Sequence, residues 1–181
     1  MTSAGVLQIL LFFALILVCV KPLGAYMANV FEGRRTFMHP VLRWLEVLTY
    51  KVAGVREDVE QRWTQYTASV LAFSIFGFLL VYLLQRAQAY LPFNPQNFGT
   101  PNVTPDLAFN TAVSFLTNTN WQAYSGESTL SYLVQMAALT VQNFVSAAVG
   151  LAIAIAVIRG FARHEVRTLG NFWVDMTRSV L

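Results

Sequence analysis

Four consecutive polar residues, Thr117, Asn118, Thr119 and Asn120, stand between two strongly apolar stretches of the chain. Together they offer four backbone carbonyls, two hydroxyls and two side-chain amide oxygens. Uncharged oxygens in that number suit a dehydrated monovalent cation, whose lost water oxygens protein oxygens must replace. The residues that follow fit the same task. Trp121 and Tyr124 are large enough to brace a loop from behind. Gln122 can hydrogen-bond backbone and hold the direction of its carbonyls, and Glu127 can concentrate cations at a mouth.

The element that must position these residues precedes them. Residues 105–116 read as a short helix: Thr104 suits the N-cap, Pro105 the first helical position, and Asp106 puts a negative charge in the first turn. At 1.5 Å per residue it reaches only ~18 Å, against a hydrocarbon core of roughly 30 Å. Its C-terminal end points a partial negative charge towards residues 117–120, which also favours a cation. A helix that enters, stops at mid-depth and gives way to polar backbone is a re-entrant pore helix with its filter loop. Such backbone is tolerated at membrane depth only beside protein or a watery cavity. The competing reading is a polar outer loop resting on the surface. The half-length helix and its place between two spans weigh against that.

Apolar residues make up 56% of the chain and charged residues 12%, the balance of an integral membrane protein. Uncharged runs at residues 1–20, 64–85 and 128–158 are long enough to cross a bilayer. The first lacks the basic start of a signal peptide and is followed by Lys21, so it reads as a retained span with its N-terminus outside. The last is longer than a crossing requires, so it is tilted, protruding or interrupted. The single cysteine, Cys19, leaves no disulfide framework and no cysteine metal site. The net charge of +3 is not a nucleic-acid signature, because the basic residues cluster beside the spans.

Those basic residues set an orientation. Residues 21–63 hold seven Lys or Arg, residues 159–181 hold four, and residues 86–127 hold one. The positive-inside tendency places the first two segments in the cytoplasm and the proline-rich connection, residues 91–105, outside. Within 21–63, His39-Pro40 opens an amphipathic helix that lies at the membrane surface, against a partner, or as a packed turn in a solvated loop. The expected fold is all-α: three transmembrane helices plus one re-entrant pore helix and filter loop. Residues 64–158 form the helix–pore loop–helix repeat, and residues 159–181 form a cytoplasmic surface segment that leads onward and looks cut at its end.

On a wheel of 3.6 residues per turn, Ser131, Gln135, Gln142 and Ser146 of the last span fall within roughly 60°. Such a stripe either packs against neighbouring helices or lines a watery path.

The stretch FLTNTNWQAYSGESTLSYLVQMAALTVQNFVSAAVG, residues 115–150, resembles the first filter and following helix of the potassium-binding subunit of the Kdp potassium-transporting ATPase. TNTNWQ-x-YSGE followed by LTVQNF carries the resemblance, and the rest of the chain fits the N-terminal part of that subunit. The resemblance implies one of four filter repeats in a potassium uptake pump of the bacterial inner membrane. It places the filter on Asn118, Thr119 and Asn120, with Gln122 close behind, and names potassium as the bound ion. It puts ATP hydrolysis in a separate P-type catalytic subunit, with small accessory subunits alongside; no ATP-site pattern occurs in this chain. One departure stands out from potassium-channel filters: no glycine lies between Thr117 and Gln122. The alternatives are a subunit of a passive or ion-coupled transporter, and a non-transport scaffold.

Overall fold

The computed structural model describes residues 2–99, 103–163 and 167–181. Residues 100–102 of the proline-rich connection and 164–166 of the last segment lie outside the described residues. The chain divides into two compact units, one reaching to Thr49 and the other running from Tyr50 to Leu181.

In the first unit, α1 spans Ser3–Phe31 and is capped by the Thr2 hydroxyl, which accepts the Gly5 N–H at 3.2 Å. The helix does not stop near Val20 as the charge at Lys21 suggests; it runs through Lys21 and Pro22. Pro22 removes one N–H from the ladder, a local loss that a 29-residue helix absorbs. Its end is set by Gly33 at φ 71°, with Arg34 N–H returning to Asn29 O at 2.8 Å. Helix α2 (His39–Ala53) starts where His39-Pro40 predicts and crosses the boundary between the units.

The second unit is built on α3 (Trp63–Ala87), which a 3₁₀ turn at Gln88–Tyr90 extends. Helix α6 (Val141–Ala162) runs antiparallel to it. Gln142 packs on Gly77, where a β carbon would stand 3.1 Å from the Gln142 Oε1. Further along, the Tyr66 hydroxyl donates to Ala152 O at 2.8 Å. Helix α4 (Pro105–Leu116) lies against the C-terminal half of α3 and has the bounds the sequence predicts. Val81, Ala108, Ala112, Phe115, Leu130 and Val134 form one core there, and Tyr66, Ala152, Ala156 and Phe172 form a second at the other end of α3.

The long last span is interrupted. Helix α5 covers only Gly126–Thr129, and Leu130 is extended. A π-helical segment, Val134–Thr140, then leads into α6, with the Thr140 hydroxyl bonding back five residues to Gln135 O at 2.9 Å.

The fold is mostly helical, with three helices among the described residues long and apolar enough to cross a membrane: Ser3–Phe31, Trp63–Tyr90 and Val134–Ala162. The sequence reading left two features out. Strands β1 (Gln61–Arg62) and β2 (Thr168–Gly170) pair antiparallel, so the described chain is not purely α. The second lies in the last segment, which the sequence reads as a surface segment leading onward. Helix α7 (Phe172–Val180) buries Phe172, Val174, Asp175 and Thr177 against the unit.

Candidate functional site

The segment from Val103 to Ser131 leaves and returns to the same end of α3. Three polar residues at that end hold it. Arg86 donates to Val103 O, Gln85 Nε2 to Ala108 O at 3.4 Å, and Gln88 Nε2 to Thr129 O at 3.1 Å. Gln88 Oε1 also accepts the Ser131 N–H at 3.0 Å, so one buried side chain closes both polar groups flanking the interruption. Between these anchors the chain goes down α4, turns at residues 117–120 and comes back through α5.

Thr104 occupies the N-cap of α4 with extended backbone, but its side chain makes no bond to the helix amides. It bonds Asp106 instead. That bond, with the Asp106 and Leu107 amides, holds the Asp106 carboxyl below the usual carboxylate range.

At the other end, Asn118 N–H bonds Phe115 O at 3.3 Å and Thr119 N–H bonds Ser114 O at 2.9 Å. With Asn118 at φ 56°, this is a Schellman stop in which asparagine takes the place usual for glycine. Asn120, at φ 57°, sends its N–H to Ser114 O at 3.2 Å, and Thr117 N–H goes to Val113 O at 3.0 Å. All four amide donors of 117–120 are thus turned back onto the last turn of α4. Among the described residues, none of their four carbonyls accepts a hydrogen bond. The Thr117 hydroxyl bonds Val113 O at 3.0 Å and pairs with Thr119 at 2.8 Å. The Asn118 Oδ1 accepts from the Asn120 amide at 3.4 Å, so the free oxygens are chiefly those of the backbone.

The supporting residues differ from expectation in part. Trp121, expected to brace the loop from behind, is 57% exposed, and its carbonyl accepts from the Ser114 hydroxyl at 2.8 Å. Tyr124 packs against the core around Val81 and Phe115, and burial pushes its hydroxyl up to about 12. The Glu127 carboxyl is exposed, and its own amide and the Ser125 hydroxyl hold it below the usual range.

The polar stripe is redistributed by the π segment, because a 3.6-residue wheel does not carry across it. Gln135 bonds Gly126 O at 3.3 Å and Leu130 O at 2.9 Å, tying α5 to the π segment. Gln142 rests on Gly77, and the Ser146 hydroxyl bonds Gln142 O at 2.6 Å. Ser131 is buried under Gln88. The Gln135, Gln142 and Ser131 contacts join different elements, whereas the Ser146 bond stays within α6. The sequence reading missed Ser114, Gln85 and Gln88; the signal available for them was a polar side chain on the buried face of an apolar helix.

A model of the family described as potassium-transporting ATPase A subunit matches residues 10–181. The chain belongs to this family. A relative from Brucella anthropi is 60% identical over 181 residues, covering 100% of this chain and 32% of its own length. Relatives from Solibacter usitatus and Allorhizobium ampelinum are 58% and 60% identical, again over 100% of this chain and 32% of theirs. Each is named as a potassium-transporting ATPase potassium-binding subunit. The chain therefore spans about a third of the length of these relatives. With its family and its three long apolar helices, it is a multi-pass membrane protein.

Proposed function

We propose that the chain supplies one potassium-binding filter segment to an ATP-driven potassium uptake pump, with residues 117–120 lining the ion path. One observation carries this reading: every amide of the segment is satisfied by α4, while its four carbonyls accept no hydrogen bond among the described residues. A loop with its donors withdrawn and its acceptors presented is electronegative without a formal charge, as a dehydrated monovalent cation requires.

Depth supports a re-entrant course. Ala108 is bonded to Gln85 at the end of α3, and Leu116 lies eight residues on, about 12 Å further along α4. The turn then falls well inside the hydrocarbon, open to the face on which Gln85, Arg86 and Gln88 lie. The basic segments 21–63 and 159–181 face the cytoplasm of a bacterial inner membrane, so the filter opens outward and the N-terminus is outside. Glu127, ionised at neutral pH, adds a negative potential near that mouth. The chain is non-catalytic; a P-type partner subunit hydrolyses ATP, with small accessory subunits in the same complex. One segment cannot enclose an ion, and the relatives, about three times as long, have room for the others.

The test is potassium uptake by the full-length subunit in its complex, with Asn120→Ala and Gln122→Ala. Weakened apparent potassium affinity with assembly intact is expected for both. Unchanged affinity in both leaves 117–120 as scaffold and ends the proposal.

A further inference from the structure

We infer that Ser114 is the positioning residue of this loop, fixing through two hydrogen-bonding groups the directions in which the free carbonyls point; the inference rests on the filter reading above. Ser114 lies on the buried face of α4 at 6% exposure, beside Phe115 and near Ala112 of the core that α4 forms with α3. A hydroxyl in such a place costs stability unless it is bonded. In a helix it ordinarily bonds back to the carbonyl four residues earlier. Here it turns forward and donates to Trp121 O at 2.8 Å. The Ser114 carbonyl meanwhile takes the Thr119 N–H at 2.9 Å, the Asn120 N–H at 3.2 Å and the Thr117 hydroxyl at 3.3 Å.

Both limbs of the turn are thus fastened to one residue, the near limb by its carbonyl and the far limb by its hydroxyl. The far fastening has no substitute. Trp121 makes no other hydrogen bond among the described residues, and its exposed ring gives no packing constraint. Without the hydroxyl the chain beyond Asn120 can rotate, and the carbonyls of 118–120 are no longer fixed from both sides. Ion discrimination depends on the number and placement of those oxygens.

The test compares Ser114→Thr with Ser114→Val in the assembled complex containing the full-length subunit. The two side chains have nearly the same shape, so their packing cost is shared and the difference isolates the hydroxyl. Potassium-dependent and rubidium-dependent ATP hydrolysis are titrated with the chloride salts. The Val variant is expected to raise the KM for potassium on the order of tenfold over the Thr variant, the size of one lost buried hydrogen bond. Its kcat should match that of the Thr variant, and its preference for potassium over rubidium should narrow. Equal KM values and equal preference in the two variants overturn the inference. If neither assembles, Ser114→Ala, which cannot overpack, is read against the unaltered protein, and an unchanged KM again overturns it. Asn120→Ala run in parallel separates the claims. If it raises KM while the Ser114 variants do not, only the role of Ser114 falls; if it too is silent, the filter reading falls as well.

Discussion

At the scale of single residues, Asn118 and Asn120 do the conformational work that a glycine does at Gly33. All three adopt left-handed backbone, and Asn118 and Gly33 each stop a helix by the same pair of returning hydrogen bonds. Left-handed backbone costs an ordinary L-residue roughly 1–2 kcal/mol, and asparagine tolerates it better than most. Asn118→Val should therefore weaken apparent potassium affinity on the order of tenfold through backbone strain alone. Asn118→Gly should stay within about threefold, since glycine adopts the conformation freely and costs only its entropy. Uptake kinetics of the assembled pump decide; equal losses would mean that the amide side chain matters and the backbone does not. The residue types of this loop were legible in the sequence, and so was the missing glycine. The handedness was not, because a tetrapeptide of Thr and Asn fits a turn, a strand end or a helix stop equally well until the returning carbonyls are known.

At the scale of elements, the short helix α4 was readable to its ends, since Pro105, Asp106 and the polar run after Leu116 all act locally. The pinning of its two feet was not, because Gln85 and Gln88 read as the polar tail of a span. Gln88 is fully buried and satisfies both Thr129 O and Ser131 N–H. Gln88→Leu should cost about 1–3 kcal/mol for each group left unpaired, less whatever water recovers. Hydrogen exchange on the reconstituted protein would show it as faster exchange at Ser131 with α4 unchanged; uniform exchange rates would show that Gln88 pins nothing. The carboxyls at the starts of α4 and α5, Asp106 and Glu127, both sit below the usual range because neighbouring hydroxyls and amides favour the charged form. Their contribution is present at neutral pH and lost only as pH falls through those depressed values. Apparent potassium affinity should thus be flat from pH 8 to about 5, above the ordinary carboxylate range. A fall in affinity already between pH 7 and 6 would assign the mouth potential to some other group. The π segment escaped the sequence altogether, because the helical wheel that aligned Ser131 with Gln142 assumes the period that this segment breaks.

At the scale of the whole second unit, the end of α3 remote from the loop is closed by contacts that no local pattern announces. The Tyr66 hydroxyl reaches Asp175 at 3.1 Å across 109 residues of sequence, and Arg159 grips the same carboxylate at 2.6 and 2.9 Å. Arg159 also donates to Leu169 O at 3.0 Å, so the guanidinium ties α6 to β2 and α7 together. Gly170 makes room for it: at φ 101°, any β carbon there would collide with the Arg159 Nη1. Side-chain exposures of 15% for Arg159 and 1% for Asp175 make this a buried pair. Removing one partner strands a charge, at a cost of about 3–5 kcal/mol, whereas replacing both with apolar residues of similar volume is often close to neutral. Asp175→Leu alone should therefore lower the thermal midpoint of the purified protein sharply, and Arg159→Met added to it should recover most of the loss. Gly170→Ala should resemble the single variant, because its β carbon displaces the guanidinium while only reaching van der Waals contact, 3.4 Å, with the Asp175 Oδ2 left behind. Potassium affinity of whatever remains folded should not move in any of them, since the pair lies at the end of α3 opposite Gln88. A double variant no more stable than Asp175→Leu would show that the pair is not the clamp, and that α7 is held by its aromatic contacts on Tyr66 and Phe73.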